Sequence, residues 1–135
     1  AGLAIEAGCE FDAEASTPQG GQAAVAHFLA LPQRPTALFC YNDMLAIGVL
    51  RGLQEAGLRV PADCSVAGFD NITFSSYTTP PLTTFDQPKR TIGEQAARLV
   101  LGLLDPEGGS APGPKIQTLK GSLLVRASTG QPAGG

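Results

Sequence analysis

The chain has 135 residues, enough for one domain with a modest core. Its formal net charge is −3, and its 9 Lys and Arg are scattered, with only Lys89-Arg90 adjacent. That distribution argues against a DNA-binding surface in this segment, because phosphate contacts need clustered cations. At 43% hydrophobic and 16% charged the composition is that of an ordinary globular protein. No apolar run is long enough to span a membrane. Cys9, Cys40 and Cys64 are odd in number and lack CxxC spacing, so neither a disulfide framework nor a zinc site is expected. Cys40 and Cys64 sit in apolar runs and read as buried thiols of a reduced, cytoplasmic protein.

In chain order, Cys9-Glu10-Phe11-Asp12 reads as a short strand in a mixed opening stretch. Thr17-Pro18 starts a helix to about Leu31, since Thr caps and Pro suits the first helical position. Its buried face would carry Ala24, Val25, Phe28 and Leu29. Gly20-Gly21 weakens the first turn by roughly 1 kcal/mol per Gly relative to Ala, which implies that something packs closely there. After the linker Pro32–Pro35, Thr36–Cys40 reads as a buried parallel strand. Asn42 or Asp43 caps the next helix, with Leu45, Ala46, Val49, Leu50 and Leu53 at helical spacing and Gly57 as its stop. Cys64–Phe69 is the next strand, which completes a right-handed βαβ unit. A Thr/Ser/Tyr-rich loop over 71–81 leads to a strand at Leu82–Phe85, which Gln87-Pro88 breaks. A helix follows from about Thr91 to Leu104, with Ile92, Ala96, Leu99, Val100 and Leu103 on one face. Asp105 to Pro114 is a Gly/Pro-rich loop; Ile116–Leu119 and Leu123–Arg126 are extended; the tail from Ser128 is expected to be mobile. The fold class is α/β, a parallel sheet flanked by helices.

Three apolar strands end in polar residues: Asn42 and Asp43, Asp70, and Gln87. Ligands of open α/β sheets bind outside the carboxyl ends of the strands. A carboxylate at the end of an apolar strand is costly to bury unless paired, and a sugar or polyol hydroxyl is a suitable donor for Asp70. An Asx turn around Asp70 and a simple helix cap at Asn42 are the structural alternatives. Nothing here reads as an enzyme. His27 is the single histidine, no Ser has an evident His/Asp partner, and no phosphate-binding glycine loop occurs. Asp70 and Asp86 have no glycosidase-like spacing, and no metal or cofactor is expected.

The segments Phe39-Cys40-Tyr41-Asn42-Asp43-Met44-Leu45-Ala46-Ile47-Gly48, Val66-Ala67-Gly68-Phe69-Asp70-Asn71 and Pro80-Pro81-Leu82-Thr83-Thr84-Phe85-Asp86-Gln87-Pro88, in this order, resemble the effector-binding domain of the lactose-repressor (LacI/GalR) family of bacterial transcription regulators. The resemblance runs from about Pro35 to Arg126. It implies a partial periplasmic-binding-protein-like type I fold, mostly the C-terminal lobe. Residues 1–86 would belong to that lobe, 87–121 would cross to the N-terminal lobe with its helix, and 122–135 would hold a return strand and tail. It implies effector contacts at Asn42, Asp43, Asp70 and Gln87. Ser16 falls where relatives often carry a stacking aromatic, a departure that disfavours a stacked flat ligand. Ile47, Arg51, Tyr77 and Thr78 would face the second subunit of a homodimer. The function implied is sensing of a small-molecule effector (sugar, polyol or nucleobase) in an inter-lobe cleft, altering operator DNA binding by a helix-turn-helix outside this chain. A periplasmic-type sugar-binding protein and an α/β enzyme fragment are the rival expectations. Half a cleft would also leave Ile92, Leu99 and Leu103 exposed, so the segment alone is expected to oligomerise or swap that helix.

Overall fold

The computed structural model describes residues 8–13, 15–104 and 116–132. Thr17 caps α1 (Pro18–Ala30) by accepting from the Gly20 N–H at 3.2 Å, with Pro18 in the first turn. β1 (Ala37–Phe39) leads through Asn42 into α2 (Asp43–Glu55), and β2 (Ser65–Phe69) follows. A short 3-10 turn at Thr73–Ser76 precedes β3 (Thr83–Asp86), α3 (Lys89–Leu104) and β4 (Ser122–Leu124). The strands form one sheet in the order β1-β2-β3-β4. β1, β2 and β3 are mutually parallel, with Phe39 opposite Ala67 and Ala67 opposite Thr83. The helices and the strands from Ala37 onward stand where expected, with ends shifted by a residue or two, except that β1, expected to be buried, leaves Ala37 and Phe39 exposed because it is an edge strand.

The paired glycines of α1 do mark a close approach. A Cβ at Gly21 would collide with the Leu45 carbonyl, and one at Gly48 would collide with the Pro18 carbonyl. The two helices thus meet backbone to backbone, an arrangement that only hydrogen side chains permit. Between them and the sheet lie Val25, Phe28, Cys40, Ala46, Val49, Leu50, Leu53, Cys64, Val66 and Leu82. Leu29, expected inside, is exposed although it lies i+4 from Val25, at the last turn of the helix. The helix α2 ends as expected: Ala56 follows Glu55, and Gly57 takes φ +76°. Beyond it, Arg59 holds Asp63 through backbone and guanidinium, which keeps that carboxyl down at about 2.

All three cysteines are free. Burial, then the neighbouring Cys64 and Asp43, push the Cys40 thiol up to about 12; burial alone pushes Cys64 to about 11. Both stay protonated at neutral pH and act as small core residues.

The chain divides into two compact units, Ala1–Asp86 with Leu123–Gly135, and Gln87–Ser122. In the second, α3 buries none of its residues, and Ile92, Leu99, Val100 and Leu103 are all exposed. Several expectations need correction. Cys9–Asp12 forms no strand. The 105–114 loop lies outside the described residues. The tail is not loose where it begins. Ser128 is 0% exposed, its Oγ donating to the Val66 carbonyl at 2.6 Å and accepting from the Thr83 N–H at 2.7 Å.

Candidate functional site

Parallel pairing puts the carboxyl ends of β1, β2 and β3 on one edge of the sheet. Asn42 follows β1 there. Its side-chain oxygen accepts from the Leu45 N–H at 2.9 Å, so it is the α2 cap, and it is half-buried. Asp43 sits one residue on and is 0% exposed. Its Oδ1 accepts from Thr84 Oγ1 at 2.6 Å and its Oδ2 from the Ile72 N–H at 2.9 Å. A Cβ at Gly68 would collide with Oδ1, so β2 carries glycine where the carboxylate lies against it. Asp43, expected to face a ligand, instead ties α2 to β3 and to the loop after β2. Two polar residues opened the helix; one caps it and the other is spent inside the fold.

That loop is held at three consecutive residues. The Asp70 N–H donates to the Phe85 carbonyl at 3.0 Å, extending the β2–β3 ladder. The Asn71 N–H donates to Thr84 Oγ1 at 3.2 Å, and the Ile72 N–H goes to Asp43. Asp70 has φ 114° and Asn71 φ 51°. Positive φ at an aspartate is disfavoured, costing about 1–3 kcal/mol where the surroundings impose it, and such strain collects at functional sites. Asp70 is half-buried at this turn. Behind the turn, Asn71 Nδ2 donates to Asp86 Oδ1 at 3.1 Å, and Phe69 stacks on Phe85 with ring centroids 5.1 Å apart.

The structure thus gathers Asn42 and Asp70 on one sheet edge. Gln87 is half-buried and opens the second unit. Ser16, exposed before α1, lines a cavity of about 490 Å³ that takes in the carboxyl end of β1 at Phe39, Cys40 and Tyr41, with Phe11 and His27. Asn42, Asp70 and Gln87 do not line that cavity. Of the residues expected at a subunit surface, Tyr77 is 80% exposed. Arg51 is exposed and paired with Glu55 at 2.6 Å. Ile47 is half-buried on α2, and Thr78 Oγ1 lies within hydrogen-bond reach of the Ser75 and Pro80 carbonyls.

Thr84 and Arg126 were not singled out by the sequence. Arg126 Nη1 donates to the Leu82 carbonyl at 2.7 Å and to Ser75 Oγ at 3.1 Å, while Nη2 donates to Asn71 Oδ1 at 3.0 Å. An arginine closing the apolar run Leu123–Val125 is the available signal, since a charge there needs partners. No cluster of three or more metal-ligating side chains occurs among the described residues.

Comparison with known proteins places the fold. Residues 2–129 match the periplasmic binding protein-like domain family. The chain is 42% identical over 113 residues to the HTH-type transcriptional repressor CytR of Escherichia coli K12, covering 84% of this chain and 32% of CytR. It superimposes with a TM-score of 0.75 and 37% identity on a LacI family transcriptional regulator from Enterococcus faecalis V583 with bound ribose, covering 88% of this chain and 42% of that one. On the lac repressor dimer bound to operator and the anti-inducer ONPF, the TM-score is 0.73 at 34% identity, covering 84% of this chain and 38% of that one. The chain spans about a third of CytR's length. These relatives are transcriptional regulators, not enzymes. The family match and the order of the strand-end motifs agree: the chain belongs to the periplasmic binding protein-like family, in its lactose-repressor (LacI/GalR) effector-binding branch.

Proposed function

We propose that this segment is part of the effector sensor of a cytoplasmic transcriptional regulator that binds a sugar, polyol or nucleobase. In this reading residues 1–86 and the return strand form most of one lobe, and 87–121 contribute to the other. Asp70 and Asn42 contact the effector from the edge of the sheet, Gln87 from the crossover, and Ser16 from the rim. Asp43 acts by holding Ile72 and Thr84. Operator DNA is bound by a helix-turn-helix outside this segment, and Ile47, Arg51, Tyr77 and Thr78 seed a homodimer. The effector acts by binding one lobe arrangement more tightly than the other.

The observation that carries the reading is the Asp70 turn. A carboxylate in a disfavoured conformation is held by three successive backbone hydrogen bonds at the sheet edge where ligands of such folds bind. Ribose bound to the Enterococcus regulator supports a polyhydroxyl ligand. Calorimetric titration of the intact protein with ribose, galactose, lactose, xylitol, adenine and uracil tests it. At least one compound should bind, and Asp70→Ala should weaken that binding about tenfold or more, the scale of a charge-assisted hydrogen bond. Unchanged affinity in Asp70→Ala would remove Asp70 from the site.

A further inference from the structure

We infer that Arg126 is a positioning residue of the effector site: its grip on the Asn71 side chain holds Asp70 in its strained conformation. The inference rests on the reading of Asp70 as an effector contact. The Asp70-Asn71 pair has positive φ at both residues. Its main chain is anchored by Phe85 and Thr84, and the Asn71 side chain is anchored by Asp86 and Arg126. Those anchors act in opposition. Asn71 Nδ2 gives its hydrogen to Asp86 at 3.1 Å, and Asn71 Oδ1 receives one from Arg126 at 3.0 Å. The amide therefore cannot flip without losing both. The same guanidinium reaches the Leu82 carbonyl and Ser75 Oγ, and Ser75 Oγ in turn donates to the Ile72 carbonyl at 2.7 Å. The Arg126 N–H also donates to Thr83 Oγ1 at 2.9 Å, which seats the arginine's own main chain on β3. One planar cation thus links the segment after β4, the start of β3 and both sides of the turn that presents Asp70. A lysine could not do this, since a single ammonium cannot serve acceptors spread in a plane.

The test uses the intact protein and whichever of the six compounds above binds it most tightly. Arg126→Lys should weaken binding about five- to twentyfold, as lost charge-assisted hydrogen bonds do. Asn71→Ala should weaken it to a similar degree, and the double variant should be no worse than Asn71→Ala alone. Arg59→Ala removes the ion pair with Asp63, outside this network, and should leave affinity within about twofold of the original. Unchanged affinity in Arg126→Lys, or strictly additive losses in the double variant, would overturn the inference while Asp70→Ala still reported a working site. Should Arg126→Lys fail to fold, Asn71→Ala decides: weakened binding supports the positioning role and unchanged binding overturns it. A protein that binds none of the six compounds overturns the reading of the site and this inference with it.

Discussion

Helices α2 and α3 carry apolar stripes of similar strength, yet they end in opposite states. α2 buries Ala46, Val49, Leu50 and Leu53 along one face, and glycine at 48 and 52 brings it against α1. α3 buries nothing; Leu101 is 67% and Leu104 72% exposed. The periodicity of a sequence announces that a helix has a face to hide. It does not say what will cover it. α2 finds its cover within its own unit, whereas α3 leaves its apolar stripe exposed among the described residues.

Substitutions can break this contrast or sharpen it. The largest effect is expected at Leu53, fully buried beneath α2. Leu53→Ala should cost about 2–5 kcal/mol, read as a lower urea midpoint at constant slope. Next comes Asp43→Asn. The amide can keep only one of the two acceptor roles toward Thr84 and Ile72, and the loss should be about 1–3 kcal/mol. Faster hydrogen exchange at the Ile72 amide would report it directly. Removing the α2 cap with Asn42→Ala should cost about 1 kcal/mol, visible as a small drop in melting temperature. The smallest effect is expected on α3, where Leu101→Ala should change the stability of this segment by no more than about 0.5 kcal/mol. A Leu101 loss as large as that at Leu53 would show that α3 is covered after all.

Much of the architecture could be read from residues alone, because its signals are local. Thr17-Pro18, Asn42 and Gly57 punctuate helices by capping chemistry, and the strands are short apolar runs with polar ends. The paired glycines of α1 predicted a close approach, though not that the Leu45 backbone would fill it. The site was legible only in outline. Asn42 and Asp70 do share a sheet edge, but Asp43 looked identical in kind to its neighbour and turned inward. That difference depends on Thr84, 41 residues away, and on a bare position at Gly68. Arg126 and Ser128 escaped for the same reason. Their partners are 43 to 62 residues distant, and no local pattern encodes such pairings.

Ser128 has a consequence for how the chain comes to be folded. Between Val66 and Thr83 it does the work of a strand: its carbonyl accepts from the Val66 N–H at 2.8 Å, and its hydroxyl joins the Val66 carbonyl to the Thr83 N–H. Thr129 and Gly130 continue the seam to Thr83 and Ser65. The amino-terminal margin of β2 and β3 is therefore completed by residues made some 45 to 65 positions later. On a ribosome, β1, α2 and β2 emerge with that margin open. It closes only after residue 130 has left the exit tunnel, through contacts of long sequence separation, the kind that slow folding. A nascent chain released earlier would present an unfinished sheet to chaperones and proteases.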